Sequence, residues 1–360
     1  MSTHFQQNTR RQRHQLLFED QLTVDQCGSI KTIEQLRRHL QTAIEIEHST
    51  IPVYLTALYS IKDGSNTFAA QTIQGIVIEE MLHMVLAANL LNAVGGHPAI
   101  NTRHFVPSYP TYLPHSSDEF LVPLQKFSKD AIAVFLDIEK PAKRFAPPEA
   151  DHYETIGQFY QAIKHALRHL QHVTPGGIFT GDPARQITPE HYYGSGGKLL
   201  AIHNLDDATL AIDEIVGQGE GMNGSIIDPD HRLFGQDIEY AHYFRFNEIM
   251  VERMYLPTDS PQAPPSGRPV AVEWDAAYNM HPNPKMADYE KGSELWNKTY
   301  EFNRTYMALL TGLHNACNGK PETFMATIPL MYDLKYKALE LMKTPIGNGE
   351  TAGPSFEFVE

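Results

Sequence analysis

The stretch Thr72–Gly96, TIQGIVIEEMLHMVLAANLLNAVGG, carries Glu80 and His83 one helical turn apart inside the most hydrophobic segment of the chain. Ile73, Ile76, Val77, Met84, Ala87, Leu91 and Val94 form a stripe at helical spacing, with the pair in its middle. Leu82, Leu86 and Leu90 cover a second face, so this helix is apolar nearly all round and belongs at the centre of a fold. A buried carboxylate needs a hydrogen-bonding partner or a cation to offset its desolvation. Glu79, at the flank of the stripe, reads as a hydrogen-bonding or surface carboxylate.

Glu-x-x-His occurs four times, at Glu45/His48, Glu80/His83, Glu149/His152 and Glu239/His242. Since the chain has 18 histidines, helical phase must sort these matches. A capping box at Thr32-Ile33-Glu34-Gln35 starts a helix that runs to about Lys62. Its inner face is Ile44, Ile51, Tyr54, Leu55 and Leu58; Glu47 lies on that face, His48 at its edge, and Glu45 points away. After the turn KDGSN (62–66), the second helix continues to Gly95-Gly96. Glu47 stands about 15 residues before the turn and Glu80 about 14 after it, so at ~1.5 Å per residue the two are level in an antiparallel hairpin. Glu149/His152 sits in APPEADHYE, where two prolines oppose a regular helix, and is set aside. A fourth long helix, about 237–255, puts Glu239 and His242 with Ile238, Phe246 and Ile249.

A carboxylate-bridged dinuclear site in a four-helix bundle takes one Glu from each of two helices and Glu-x-x-His from each of the others. Glu47, Glu80, His83, Glu239 and His242 supply five of the six ligands. The third long helix, about 206–218, offers Glu214 at the flank of its apolar face or Glu220 beyond its regular end. Without cations, four such carboxylates would have to take up protons; two divalent metals neutralise them. The mixed oxygen and imidazole set favours two Fe, with Mn/Fe or Mn2 as alternatives.

Composition narrows the partners. The net charge of -14 opposes nucleic-acid binding, and two cysteines, Cys27 and Cys317, are too few for a disulfide framework. Gln74, Glu79, Glu80, His83 and Asn89 interrupt the longest apolar run, which argues against a membrane span. No apolar leader is visible near the N-terminus, so a cytoplasmic protein is expected. A lead-in (1–31), a bundle (32–256) with a crossover (95–205), and a C-terminal helical extension (257–360) complete the expected organisation.

The segments AIEIEHSTIPVYLTALYSI, EEMLHMVLAANLLNAVGG, FLDIEKPA, AIDEIVGQGEG, AHYFRFNEI and TAGPSFE resemble the ferritin-like domain of the iminophenyl-pyruvate dimer synthase family, whose members act in violacein, rebeccamycin and staurosporine biosynthesis. The resemblance runs from about residue 33 to the C-terminus and implies a mainly α, ferritin-like four-helix bundle with a long crossover and extra C-terminal helices. It supports Glu47, Glu80, His83 and His242 as ligands, favours Glu220 over Glu214, and adds Glu139 of DIEKP as a ligand or supporting carboxylate. Family members are longer and carry a haem-associated portion that this sequence does not show, so a stand-alone domain is expected. The expected function is a non-haem di-iron oxidase or oxygenase acting on a small, amino-acid-derived metabolite. Alternatives are an imine-dimerising component working with a haem partner, and a ferroxidase, iron-storage or structural metal protein. The expected partners are a small-molecule substrate and O2, with self-assembly left open. Tyr306, His314 and Met325 on the last two helices are expected near the substrate.

Overall fold

Thr32 closes the first turn of the first helix as a capping box: its hydroxyl accepts from Gln35 N while the Gln35 side chain accepts from Thr32 N. In the computed structural model, which describes residues 30–114, 120–141, 153, 155–221 and 225–360, this helix is α1, Ile33–Ser60. Glu149, His152 and the lead-in up to residue 29 lie outside the described residues. The chain turns at 62–66 into α2, Thr67–Ala93, which ends as Gly95 takes a positive φ of 73° and its N–H bonds back to Asn92 O.

Four helices close a ring. α1 packs on α2, α2 on α5 (Leu205–Glu220), α5 on α4 (Ile156–Val173), and α4 back on α1. By length and composition α2 could cross a membrane, but it is buried here at the centre of the bundle. The crossover contributes α3, Lys129–Ile138, capped by Ser128 and ending at Glu139, two residues before Pro141. After the short α6, Asp230–Leu233, helix α7, His242–Met250, packs against α3 and touches α2 and α5. On the opposite side, α8 (Glu294–Cys317) and α9 (Ile328–Met342) pack together, α8 reaching α2 and α9 reaching α1. Two short antiparallel ribbons, 111–112 with 121–122 and 345–347 with 350–351, and four short 3-10 helices complete the regular structure among the described residues.

Among the helix boundaries that differ from the expected ones, two bear on the site. α5 runs on through Glu220 to a C-cap at Gly221 (φ 78°), so Glu220 is its last helical residue. α7 starts only at His242, because the preceding residues pair with another backbone segment. Asp228 N bonds to Glu239 O, and Ala241 N to Ile226 O. Glu239 is therefore extended chain, and its three-residue spacing to His242 is not a helical turn.

Candidate metal centre

Five buried side chains from four parts of the fold converge between α1 and α2 and the ends of α3 and α7. Glu47, Glu80 and His83 bring one ligand atom each within 4.8 Å of one another, and so do Glu80, Glu139 and His242. Glu80 belongs to both groups. Nδ1 of His83 lies 3.5 Å from Glu47 Oε2 and 3.8 Å from Glu80 Oε1. Nδ1 of His242 lies 3.0 Å from Glu80 Oε1 and 3.5 Å from Glu139 Oε2, yet lacks a hydrogen-bond partner. A buried nitrogen aimed at two carboxylates without hydrogen-bond geometry suits a position where a cation would sit between them.

The outward nitrogens of both rings are anchored. His83 Nε2 meets Gln218 Oε1 at 2.7 Å, and His242 Nε2 meets Glu79 Oε2 at 2.7 Å. An N–H on each Nε2 leaves the Nδ1 lone pairs facing the carboxylates, the arrangement metal-ligating histidines use. Each carboxylate also has a hydroxyl beside it. Tyr160 donates to Glu47 Oε1 at 2.5 Å, Tyr54 donates to Glu139 Oε1 at 2.5 Å, and Thr50 Oγ1 lies 3.0 Å from Glu80 Oε2. Glu47, Thr50 and Tyr54 follow one another at helical spacing on α1, so a single face delivers a candidate ligand and the hydroxyls that support two of its neighbours.

The electrostatics are compatible with a cation site. Burial, then the carboxylates of Glu139 and Glu47, push Glu80 up to about 7. Burial opposes protonation of His242, but Glu139, Glu79 and Glu80 together hold it well above the usual imidazole value. His83 is likewise raised: burial works against the proton, and Glu47 and Glu80 outweigh it. Burial also disfavours the charge on Glu79, but Arg245 and His242 overcome it and bring its carboxyl down to about 2. The cluster thus takes up protons where positive charge is lacking, and the donor set is compatible with two metal ions sharing Glu80.

The sequence-derived candidates divide as follows. Glu47, Glu80, His83, Glu139 and His242 come together. Glu220 borders the same narrow opening as Glu47, Glu80, His83 and Glu139; its carboxylate lies over Gly157, where a Cβ would stand 2.0 Å from Oε1. Glu214 is fully buried but faces away, accepting from Lys198 N and Gln218 Nε2. Six residues separate it from Glu220, which puts the two on different sides of α5. Glu239 is not brought to the cluster: its side chain is 55% exposed and lies 3.7 Å from Arg245. Its expected place rested on helix before His242; in the cluster it is the Glu139 carboxylate that lies beside Glu80 and His242.

Glu79 is no surface carboxylate but the buried acceptor for His242 and Arg245. Gln218, Tyr160 and Thr50 escaped the sequence reading; only the helical phase of Thr50 with Glu47 signals one of them. His48 points to the other side of the hairpin, where its Nε2 meets the Tyr306 hydroxyl at 2.7 Å. Tyr306 lines an apolar void there, and Met325 a larger apolar groove that shares Leu55, Met81 and Met331 with it; His314 lines neither.

The profile of the ferritin-like family matches residues 40–251, well over half of the chain. The chain belongs to the ferritin-like family. This ferritin-like protein is 25% identical to dichlorochromopyrrolate synthase of Lentzea aerocolonigenes over 92% of its own length and 36% of that enzyme's. It is 24% identical to 2-imino-3-(indol-3-yl)propanoate dimerase of Chromobacterium violaceum, over 62% of its length and 24% of that enzyme's. The chain therefore spans about a third and a quarter of these two relatives. A crystal structure of a ferritin-like protein from Caulobacter vibrioides superposes with a TM-score of 0.61 at 23% identity, covering 91% of this chain and 99% of that one, which shows a shared fold.

Proposed function

We propose that this ferritin-like protein is a dinuclear non-haem metal oxidase or oxygenase, iron-dependent, acting on a small amino-acid-derived metabolite. The observation that carries this reading is the membership of Glu80 in both ligand groups, which gives two neighbouring ions a common carboxylate. A pair of iron ions held there supplies redox chemistry, coupling O2 reduction to oxidation of the substrate. Glu47 and His83 hold one ion position and Glu139 and His242 the other, with Glu80 between them. Gln218 and Glu79 fix the imidazole tautomers. Tyr160 and Tyr54 each occupy one oxygen of their carboxylate and leave the other for a ligand bond.

The opening at Glu220 has a volume of about 20 Å³, room for a water-sized molecule beside the ligands. Ile138, Ile156, Ile215 and Val216 wall it and keep bulk water away, while Glu220 at its rim is placed to complete the ligand set. The substrate class is supported by the relatives, one of which acts on an indolyl imino acid. The dimerase among these relatives supports, as a second reading, the imine-dimerising component offered by the sequence.

Anaerobic Fe(II) titration followed by exposure to O2 tests the proposal. About two ions should bind per chain, Glu80→Ala should lose both, and the loaded protein should consume O2. Binding of fewer than two ions, or unchanged binding in Glu80→Ala, refutes the dinuclear reading. A fully loaded protein inert to O2 refutes the oxidase reading.

A further inference from the structure

The anchors of the two ligand histidines have a second face. Glu79 and Gln218 also line a polar surface cleft of about 540 Å³, whose walls include Asp228, Asp230, Glu239 and Arg245. The cleft is thus one side chain away from both imidazoles. Among its described lining residues Arg245 is the one basic side chain; it bonds Glu79 at 2.7 Å and lies 3.7 Å from Glu239. Asp228 and Asp230 are each only 3% exposed, and Oδ1 of Asp230 has no hydrogen-bond partner. Behind them lies fully buried Glu214, whose carboxyl is pushed up to about 10 by burial and by its hydrogen bond with Asp230, and Gln218 Nε2 reaches Glu214 at 3.3 Å and Asp230 at 3.1 Å. A buried carboxyl pair that faces one another through a shared proton, beside a cleft with a strong excess of acid over base, suits a cation. Of the carboxylates the sequence offered to the metal centre, Glu239 lines this cleft and Glu214 stands behind it.

Resting on the reading of the cluster as a metal centre, we propose that this cleft is the loading site through which divalent transition-metal ions reach it. Asp228, Asp230 and Glu239 draw in the hydrated ion. Glu79, which lines the cleft and holds the His242 ring from outside, is the last side chain between the cleft and the cluster. The cleft offers oxygen ligands alone and releases the ion, whereas the cluster adds two imidazoles and retains it. The opening beside Glu220, though lined by the cluster's own carboxylates, is the narrower route for a hydrated cation, being about 20 Å³ and walled by Ile138, Ile156, Ile215 and Val216 with Lys140 at its border.

Stopped-flow loading of the metal-free chain with Co(II), without O2 and at several salt concentrations, tests the route in the Asp228→Asn/Glu239→Gln variant. Both proteins should end with about two ions per chain, while the variant loads about tenfold more slowly at low salt and loses most of the salt dependence. Glu239→Gln alone changes an exposed side chain, so the test stands if the double variant does not fold; it should show a smaller slowing of the same kind. Loading at the wild-type rate with the wild-type salt dependence overturns the route. A variant that loses an ion shows the cleft carboxylates to be ligands of the centre, which also overturns it. If the wild-type chain binds fewer than two ions, the reading of the centre has failed, and the route with it.

Discussion

Glu79→Gln isolates one half of the centre. In the wild type the Glu79 carboxylate accepts from His242 Nε2 at 2.7 Å and from Arg245 Nη1 at 2.7 Å to both oxygens. Glutamine keeps the volume but has one acceptor oxygen, so either the imidazole or the guanidinium faces an amide N–H instead. Removing the outer partner of a metal-bound histidine weakens metal binding about 10–100-fold, or about 1.4–2.7 kcal/mol. The loss should fall on the ion held by His242, because His83 is anchored independently on Gln218. Arg245 also loses its closest charge partner; its side chain is 14% exposed, and Glu239 at 3.7 Å takes over part of the interaction. The folded variant should therefore be less stable, by no more than the ~3–5 kcal/mol typical of a broken buried ion pair. Anaerobic Co(II) titration, read by absorption and calorimetry, should show one binding step weakened and the other unchanged. Gln218→Leu should weaken the opposite step. If both steps shift equally in either variant, or neither shifts, the assignment of one histidine to each ion is refuted.

Other tests address the cluster directly. Glu47→Ala and Glu139→Ala should each lower metal content by one ion, whereas Glu80→Ala removes both; metal analysis after gel filtration separates these outcomes. Tyr54→Phe and Tyr160→Phe each delete a hydrogen bond to a buried carboxylate and should cost about 1.5–3 kcal/mol in denaturant unfolding of the loaded protein. Metal-free stability should fall as pH rises from about 5 to 8. Glu80 is raised to about 7, and His83 and His242 are raised as well, so the folded state holds protons that the unfolded chain has released. Metal loading should reverse that slope, since ions replace the protons. Thermal melts across this range, with and without metal, check both signs; parallel slopes would contradict the cation reading. Glu79, lowered to about 2, contributes in the opposite sense, through stability lost only as pH falls below about 4.5.

The hairpin was legible in the sequence because its signals are local. The Thr32 capping box, the apolar phase of 73–94 and Gly95 set α1 and α2, and counting from the turn put Glu47 level with Glu80. His83 followed from its one-turn spacing on the same helix. The same reasoning failed at Glu239, where periodicity cannot reveal that residues 239–241 pair with backbone at 226–228 rather than with their own next turn. Glu139 lies at the end of a ten-residue helix in the crossover, and no spacing within the chain connects it to His242. Only the packing of α3 on α7 joins them.

The sequence by itself determined the bundle hairpin and brought Glu47, Glu80 and His83 to one level of it, because both depend on contacts within one or two turns of helix. The tertiary structure decided which distant carboxylate completes the cluster, which nitrogen each imidazole turns inward, and what holds it there. Those depend on contacts between segments up to 163 residues apart, such as His242 with Glu79, where the folded arrangement alone sets distance and burial.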